Sequence, residues 1–514
     1  MDQDLISRTS VFFQRFGIAD SDYKKEIERF HVSIEADQKI LESYSGQLML
    51  LTLANILPRI WASVSLPVCG STNRCVFSPL SKAPTLSEAA SETLQIASTA
   101  VDHSLCGVSS RRPADFIISI GPTIVKSNIY INADGWVAYL RGRPEDVSFS
   151  SSATNPFGPI AAACFAAAEA SREFLRRLGT TDDRIQRPFK PFKYSILRNS
   201  EEQETDTNIP LPKKLDLGDI TLVGAGAVGS SMIYTLSAIP QVFGTMKIID
   251  DQKLDASNLN RHLIAGKKDI GEPKAIVAEK ALTKNMIPDP LFASYESYEN
   301  RQSTPVIVST VDNRDNNAIR RAIQSDLPRF IIHGATGDAF VAIAKLDFSS
   351  GACLGCLFPE ELNPQVAELT RLLQISSEEA EQLIYNGLPF LSEHAKQLSS
   401  KIDSNEKDLL KHVGKPFIEV FQEQVCGNLR TQVGETVVEA AVPFVSLMAG
   451  AMACAEIIKM VASELTRYQL NNYRRLSLFG LGNEFICHRK KEATCSCYCQ
   501  EDILQKRFKK KWGL

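Results

Sequence analysis

The chain has 514 residues, is 44% hydrophobic and carries 57 basic against 60 acidic residues for a formal net charge of -3. That length suits two or three globular domains, and the near balance of charge excludes the basic field that nucleic-acid binding requires. The start MDQDLISRTS lacks the basic and apolar regions of a signal peptide, and the apolar stretch from Val437 to Met460 is broken by Glu439 and Glu456, so no membrane span is predicted and a cytoplasmic location is expected. In that setting the twelve cysteines are expected to serve as thiols for metal binding or chemistry rather than as disulfides.

From Arg8 to about Trp61, apolar residues at three- and four-residue spacing predict helix, read as a packing element. A segment rich in Ser, Cys and Pro follows, then the strand-like runs FIISI and NIYINADGWVAYL, then an alanine-rich helix over PFGPIAAACFAAAEASREFLRRL. This places a helical start and a first α/β domain in residues 1–198. The polar, proline-marked run NSEEQETDTNIPLPKK, residues 199–214, predicts a linker.

The second half opens on a buried-strand run and a glycine turn, DITLVGAGAVGSSMIYTL, followed by the strand MKIID, which predicts a βαβ unit. Further strands VIVSTVD, RFIIHGA and FVAIAKL lead to a pair of cysteines, and the helix PFVSLMAGAMACAEIIKMV closes the core. The second domain is therefore expected over 215–358 and 430–500, interrupted by a helical segment over 359–429 and followed by a basic tail over 501–514.

The halves match each other. Pro156, Phe157, Ala162, Ala166, Ala168 and Glu169 correspond to Pro443, Phe444, Ala449, Ala453, Ala455 and Glu456 in one ungapped register, and Asp134, Val137 and Ala138 correspond to Asp338, Val341 and Ala342 in a second. A diverged duplication follows, so the predicted fold is α/β with two Rossmann-like domains in tandem.

Gly224, Ala225, Gly226 and Gly229 belong to GAGAVG, set between a strand and an apolar helix, where glycine allows a tight turn and close approach of a phosphate to the helix N-terminus. Alone this fits either a nucleotide or a dinucleotide. Asp250 ends the next strand, where a carboxylate can accept from ribose hydroxyls. Asn258 and Arg261 in SNLNRH and Lys274 in DIGEPKA then favour an adenylation site over a nicotinamide site, because a pentacoordinate α-phosphate and departing pyrophosphate gather charge that fixed cations stabilise. Cys353 and Cys356 in ACLGCLFPEE have the spacing that lets two thiolates grip one tetrahedral zinc, and Cys495, Cys497 and Cys499 can complete it. Cys426 lies alone in EQVCGNLR, and Cys454, inside the closing helix, is read as core.

This order of glycine loop, strand-end Asp, NLxR and GxPK resembles the ThiF/MoeB-type superfamily of ubiquitin-like-protein activating enzymes, over roughly residues 216–500, and is similar to those of bacterial antiviral ubiquitin-like operons. The resemblance implies ATP and Mg2+ as cofactors, Asp250 on ribose, Asn258, Arg261 and Lys274 on phosphates, and Asp312 in STVDN positioning Mg2+. It also implies a structural Zn2+ on Cys353 and Cys356 with a C-terminal pair, taken as Cys495 and Cys497 with Cys499 left as an alternative. Cys426 would attack the acyl adenylate to form a thioester. Two departures stand out: Gln252 occupies the place of a second carboxylate, and the family arginine after Asp312 falls late, at Arg320.

The first half has no glycine loop and sets Pro122 where the second has Asp312, so it is expected to be the inactive adenylation domain, with the active one after it and a catalytic-cysteine segment between strands. Such a chain is a pseudo-dimer in itself, compatible also with a homodimer, and an arginine of the inactive copy can reach ATP. The implied partners are a ubiquitin-like carrier protein and a conjugating enzyme, with neither nucleic acid nor membrane. Sulfur-carrier adenylation for thiamine or molybdopterin synthesis, a binding scaffold without chemistry, and nicotinamide redox are the competing readings.

Overall fold

A computed structural model describes residues 8–67, 74–75, 77–101, 113–145, 154–201, 209–298, 301, 304–311, 317–337, 339–348, 351–357, 369–370, 372–399, 406–424, 431–433, 436–438, 442–470, 472–480, 485–487 and 498–514. The chain divides into two compact units, Met1–Leu357 with Ala440–Leu514, and Phe358–Glu439 between them.

Within the first unit, two sheets repeat one plan. The first contains β1 (His31–Ala36), β2 (Ser63–Ser65), β3 (Phe116–Ile120), β4 (Ile129–Asp134), β5 (Val137–Arg141), β6 (Phe192–Ser195) and β7 (Ser200–Glu201), in spatial order β2-β1-β3-β4-β5-β6-β7. The second contains β8 (Leu215–Val223), β9 (Val242–Ile249), β10 (Met286–Leu291), β11 (Val306–Ser309), β12 (Phe330–Gly337), β13 (Phe340–Leu346), β16 (Tyr473–Ser477) and β17 (Phe485–Cys487), in order β10-β9-β8-β11-β12-β13-β16-β17. Apart from the extra edge strand β10, the orders coincide, as does the change from parallel to antiparallel pairing, at β4–β5 in one and β12–β13 in the other. The tandem Rossmann-like architecture expected from the repeat is therefore present.

The helices of the repeat carry it further. Helices Phe157–Arg177 and Pro443–Val461 are both buried in the common core and pack on each other. In each, the matched glutamate pairs with a buried cation one turn on: Glu169 with Arg172 at 2.6 Å, and Glu456 with Lys459. These two cations stand in the same register as the two glutamates. An ion pair cut off from water survives only if its remaining polar atoms are satisfied, and the first half supplies part of that: Asn199 donates to Glu456 Oε1 at 3.0 Å, while Lys459 donates to Leu197 O at 3.1 Å. Helix Pro443–Val461 is long and apolar enough to cross a membrane, but it is buried inside the protein. The hairpin match is one residue less regular, since β4–β5 closes on Asp134 and Val137 whereas β12–β13 closes on Gly337 and Phe340.

Three expectations are corrected. The continuous helix from Arg8 to Trp61 is interrupted by β1, because in HVSIEA the β-branched Val32 and Ile34 alternate inward and pair in parallel with β2 and β3. Residues 199–214 do not form a free spacer at their described ends: Asn199 is buried, Ile209 accepts from the Trp136 indole at 2.8 Å, and Ile209 and Leu211 pack on the core. The basic tail is a helix, Asp502–Trp512, anchored by buried Phe508 against Leu327 and Phe348 and by Trp512 Nε1 donating to Leu327 O at 2.9 Å.

The second unit has its own small core of Leu369, Phe390, Leu398, Leu409, Phe417 and Phe421, beneath helices Ser377–Tyr385, Ser392–Ser399, Glu406–Leu410 and Phe417–Gln424. A short hairpin, β14 (Thr431–Val433) and β15 (Thr436–Val438), follows.

Candidate functional site

The site forms outside the C-terminal ends of β8 and β9. Strand β8 is flanked by β9 on one side and β11 on the other, the switch point at which open α/β sheets leave a crevice for ligands. Gly224 leaves β8 at φ +93°, and a Cβ there would meet Thr310 at 3.2 Å. Gly229 sits so close beneath the loop that a Cβ would lie 2.1 Å from Gly224 O. At Gly226, the cap of helix Ala227–Ser237, a side chain would meet no protein atom, so the loop opens to solvent at the helix N-terminus, where unpaired N–H groups favour an anion.

Asp250, one residue past β9, ties this loop down. Its Oδ2 accepts from Ala225 N at 2.7 Å and its Oδ1 from Gln252 N at 2.8 Å, leaving each oxygen a further lone pair. Burial pushes its carboxyl above the ordinary carboxylate range, opposed by the Lys274 ammonium and these two N–H groups. Lys274 opens helix Lys274–Ala281, is 6% exposed, and donates to Gln252 Oε1 at 2.6 Å. The departure at Gln252 thus has a use: a neutral amide holds the ammonium where the family has a second carboxylate.

Arg261 is buried, with its guanidinium on Ser257 O at 3.0 Å and Asn260 Oδ1 at 3.1 Å. Asn258 caps the turn Ala256–Asn258 by accepting from Asp255 N at 3.3 Å, so its first task is to shape the loop that carries Arg261. Hydrogen bonds from Ser257 hold Asp255 below the usual carboxylate range, with the charges of Arg8 and Lys274 adding to the effect. Arg8 begins the helix Arg8–Gln14 of the first half, whose Thr9 accepts from Asn260 Nδ2 at 3.1 Å. The charge of Arg8, from the first half, is therefore felt at Asp255, at the start of the turn that leads to Arg261.

Sequence reasoning missed four residues here. Thr310 donates to Gly224 O at 2.5 Å. His262, fully buried, bonds through Nε2 to Ala225 O at 2.9 Å, and burial first, then the Ala225 bond opposing it and the nearby cations Lys274, Arg59 and Arg261, leave its pKa at about 3. Asn55 and Arg59 reach loop 259–265 from the first half. Only His262, next to the NLNR run, carried a signal by position; the others are distant in sequence. Asp312 and Cys426 lie outside the described residues. Arg320 is buried near His333, whose pKa burial pushes down to about 3.

The corresponding turn of the first half, which has no glycine loop, is built differently among the described residues. The turn after β1 is held by Asp37 Oδ1, which accepts from Lys39 N at 2.9 Å and Ile40 N at 3.2 Å, and Ile40 fills the space against Gly121.

Away from the crevice, Cys353, Cys356 and Cys499 converge in a buried cluster. Their sulfurs are 3.9 Å apart for Cys353 and Cys356 and 3.6 Å for Cys356 and Cys499. A tetrahedron with Zn–S of about 2.3 Å has edges of about 3.8 Å, so the three thiols fit zinc. Cys499 is the terminal cysteine brought into the cluster, whereas Cys495 and Cys497 lie outside the described residues. Cys454 is core, as read.

Among known proteins, the profile of the ThiF family matches residues 208–498, and that of the BilD N-terminal domain matches residues 31–186. The chain is 24% identical over 510 residues to the uncharacterized protein y4jF of Sinorhizobium fredii, covering 96% of this chain and 93% of that one. It is 30% identical over 152 residues to the SAMP-activating enzyme E1 of Haloferax volcanii, covering 28% of this chain and 55% of the relative. It is also 30% identical over 159 residues to the adenylyltransferase and sulfurtransferase UBA4 of Candida albicans, covering 29% and 36%. Among solved structures, E. coli MccB with ATP aligns over 73% of this chain and 98% of its own, with 11% identity and a TM-score of 0.35. Its family profile extends over more than half of the residues, from the linker through the glycine loop to the terminal cysteines, and the chain belongs to the ThiF family.

Proposed function

We propose that this chain uses ATP to adenylate the C-terminal carboxylate of a ubiquitin-like protein, captures the acyl group on Cys426 as a thioester, and passes it to a conjugating enzyme. The observation that carries the first step is the juxtaposition of buried Lys274 and Arg261 with a glycine loop held open at a helix N-terminus. A carboxylate oxygen attacks the α-phosphorus, the bond to the β-phosphate breaks, and pyrophosphate leaves. Fixed cations stabilise the charge that gathers on both phosphates. Asp250, with a spare lone pair on each oxygen, holds ribose, and Arg8 comes from the other half toward the leaving phosphates. Asp312 would hold Mg2+, which neutralises phosphate charge when bound. Zinc on Cys353, Cys356 and Cys499 would be structural. In the second step a Cys426 thiolate attacks the mixed anhydride and AMP leaves, so the acyl group stays activated.

Conjugation is favoured over sulfur-carrier activation by the separate helical unit, Phe358–Glu439, inserted between the CxxC segment and the closing helix, and by a second copy of the fold that lacks the glycine loop. Placement in a bacterial antiviral conjugation operon, in the cytoplasm, belongs to the same proposal. The test is pyrophosphate exchange on the full chain with small proteins ending in Gly-Gly, alongside non-reducing gels. Cys426→Ala should keep exchange and form no thiol-labile adduct. An adduct on that variant would assign the nucleophile elsewhere, and a wild type that exchanges but never forms one would point to sulfur-carrier chemistry.

A further inference from the structure

Arg59 is among the largest fully buried side chains of the described residues, and it lies in the half without a glycine loop. It follows helix Tyr44–Ile56, in the turn Leu57–Arg59. Its Nη1 donates to Leu259 O, its Nη2 to Ala265 O at 3.0 Å and its Nε to Asn55 Oδ1 at 3.0 Å, while Asn55 Nδ2 donates to Leu263 O at 2.8 Å. Every partner outside the first half is thus a backbone carbonyl of loop 259–265, the loop that carries Arg261 and His262. Among the described residues no carboxylate pairs with this guanidinium, and burial alone pushes its pKa down to about 9.

A buried cation is costly unless something repays it. Carbonyl oxygens satisfy its hydrogen bonds but bring no negative charge. The loop it grips continues through His262 to Ala225 O, and Ala225 N is held by Asp250. One run of hydrogen bonds therefore leads from Arg59 to the floor of the phosphate crevice.

We propose that Arg59 is the positioning residue through which the inactive half sets loop 259–265, and with it Arg261 and the contact of His262 with the glycine loop. This rests on the reading of the crevice as an ATP site. It makes the first half a working part of that site at a point remote from the nucleotide, with Asn55 as the second strut.

Ligand charge separates this role from simple cohesion of the two halves. A strut that only held the fold together would, on removal, weaken ATP and adenosine alike. Loss of a residue that positions the phosphate contacts weakens ATP and spares adenosine, which carries no phosphate and leans on Asp250. Calorimetric titration of the full chain with each ligand should show Arg59→Met losing at least about tenfold in ATP affinity, the scale of one lost charge-assisted interaction, with adenosine within about twofold of wild type. Arg59→Lys keeps the charge but cannot bridge Leu259 O and Ala265 O at once, so it should lose less. If Arg59→Met does not fold, Arg59→Lys and Asn55→Ala carry the comparison, each expected to shift the ratio of ATP to adenosine affinity in the same direction. An unchanged ratio in the folded variants overturns the inference. A wild type that binds no ATP would instead overturn the reading beneath it.

Discussion

At the scale of single residues, the cations of the crevice should separate from the groups that shape it. Lys274→Met removes an ammonium aimed at the crevice and frees Gln252, so pyrophosphate exchange should fall by roughly 10²–10³-fold, as for loss of one preorganised donor to a developing anion. Thermal stability should fall as well, because the buried ammonium faces Asp250 besides donating to Gln252, so exchange is compared on a variant shown by circular dichroism to be folded. His262 gives a pH prediction of definite sign. Its pKa is about 3 in the folded chain against an ordinary value of 6.5, so between these values the unfolded chain binds the extra proton. Its contribution is fully present above about pH 6.5 and is lost as pH falls toward 3, at up to ~1.4 kcal/mol per pH unit. Denaturant titrations of wild type and His262→Gln from pH 7 to pH 4 should therefore converge as pH drops, the variant showing the flatter curve. Parallel curves would mean that His262 titrates normally.

At the scale of elements, two joints should dominate stability. The cysteine cluster ties Cys353 and Cys356 to the turn Tyr498–Gln500, and Gln505 of the terminal helix reinforces it by donating to Cys499 O and Phe348 O, both at 2.9 Å. Elemental analysis should find one zinc per chain. Both Cys353→Ser and Cys499→Ser should lower metal content and melting temperature together, since site formation and folding are linked; retention of full metal by Cys499→Ser would return the fourth and third ligands to Cys495 and Cys497. The other joint is the ion pair of Glu456 and Lys459, with neither side chain exposed. Lys459→Met leaves a carboxylate buried without its cation and should cost about 3–5 kcal/mol in chemical denaturation, whereas replacing both charges by apolar residues should cost less.

The repeat of halves was legible at this scale because each core helix keeps its proline, its small residues and its glutamate in register. The sequence could also place the glycine loop, since only glycine allows the left-handed turn at Gly224 and the contact at Gly229. It misjudged β1, where a six-residue strand lies within a longer stretch of helical spacing. Such short runs fit both periods, and pairing with β2 and β3, made by residues far along the chain, decides between them.

For the whole molecule, the two adenylation folds act as one body. Aromatic rings cross between them, with Phe12 at 6.2 Å from Phe444 and 5.9 Å from Phe479. Loop 259–265 and the Glu456 pair both take hydrogen bonds from the first half. Residues 209–514 expressed alone should therefore bind ATP poorly and aggregate through the exposed apolar face of helix Pro443–Val461. Coexpression with residues 1–208 should recover a copurifying complex that binds ATP. Soluble, nucleotide-binding protein from the second half alone would show that the first half is dispensable to the site.

The sequence by itself determined which groups stand in order along the chain: a glycine turn, Asp250, Arg261 and Lys274, and a CxxC pair, to which the proposal assigns phosphate, ribose, charge and metal. These are local, because the order of residues along a βαβ unit fixes their places on it. Tertiary structure decided what no local pattern contains. It chose Cys499 to join Cys353 and Cys356, turned the basic C-terminus into a docked helix, set Gln252 against Lys274, and brought Arg8, Asn55 and Arg59 from the other half to the segment 255–265. Each of these depends on contacts between segments widely separated in the chain, and only the burial of a shared core brings such segments together.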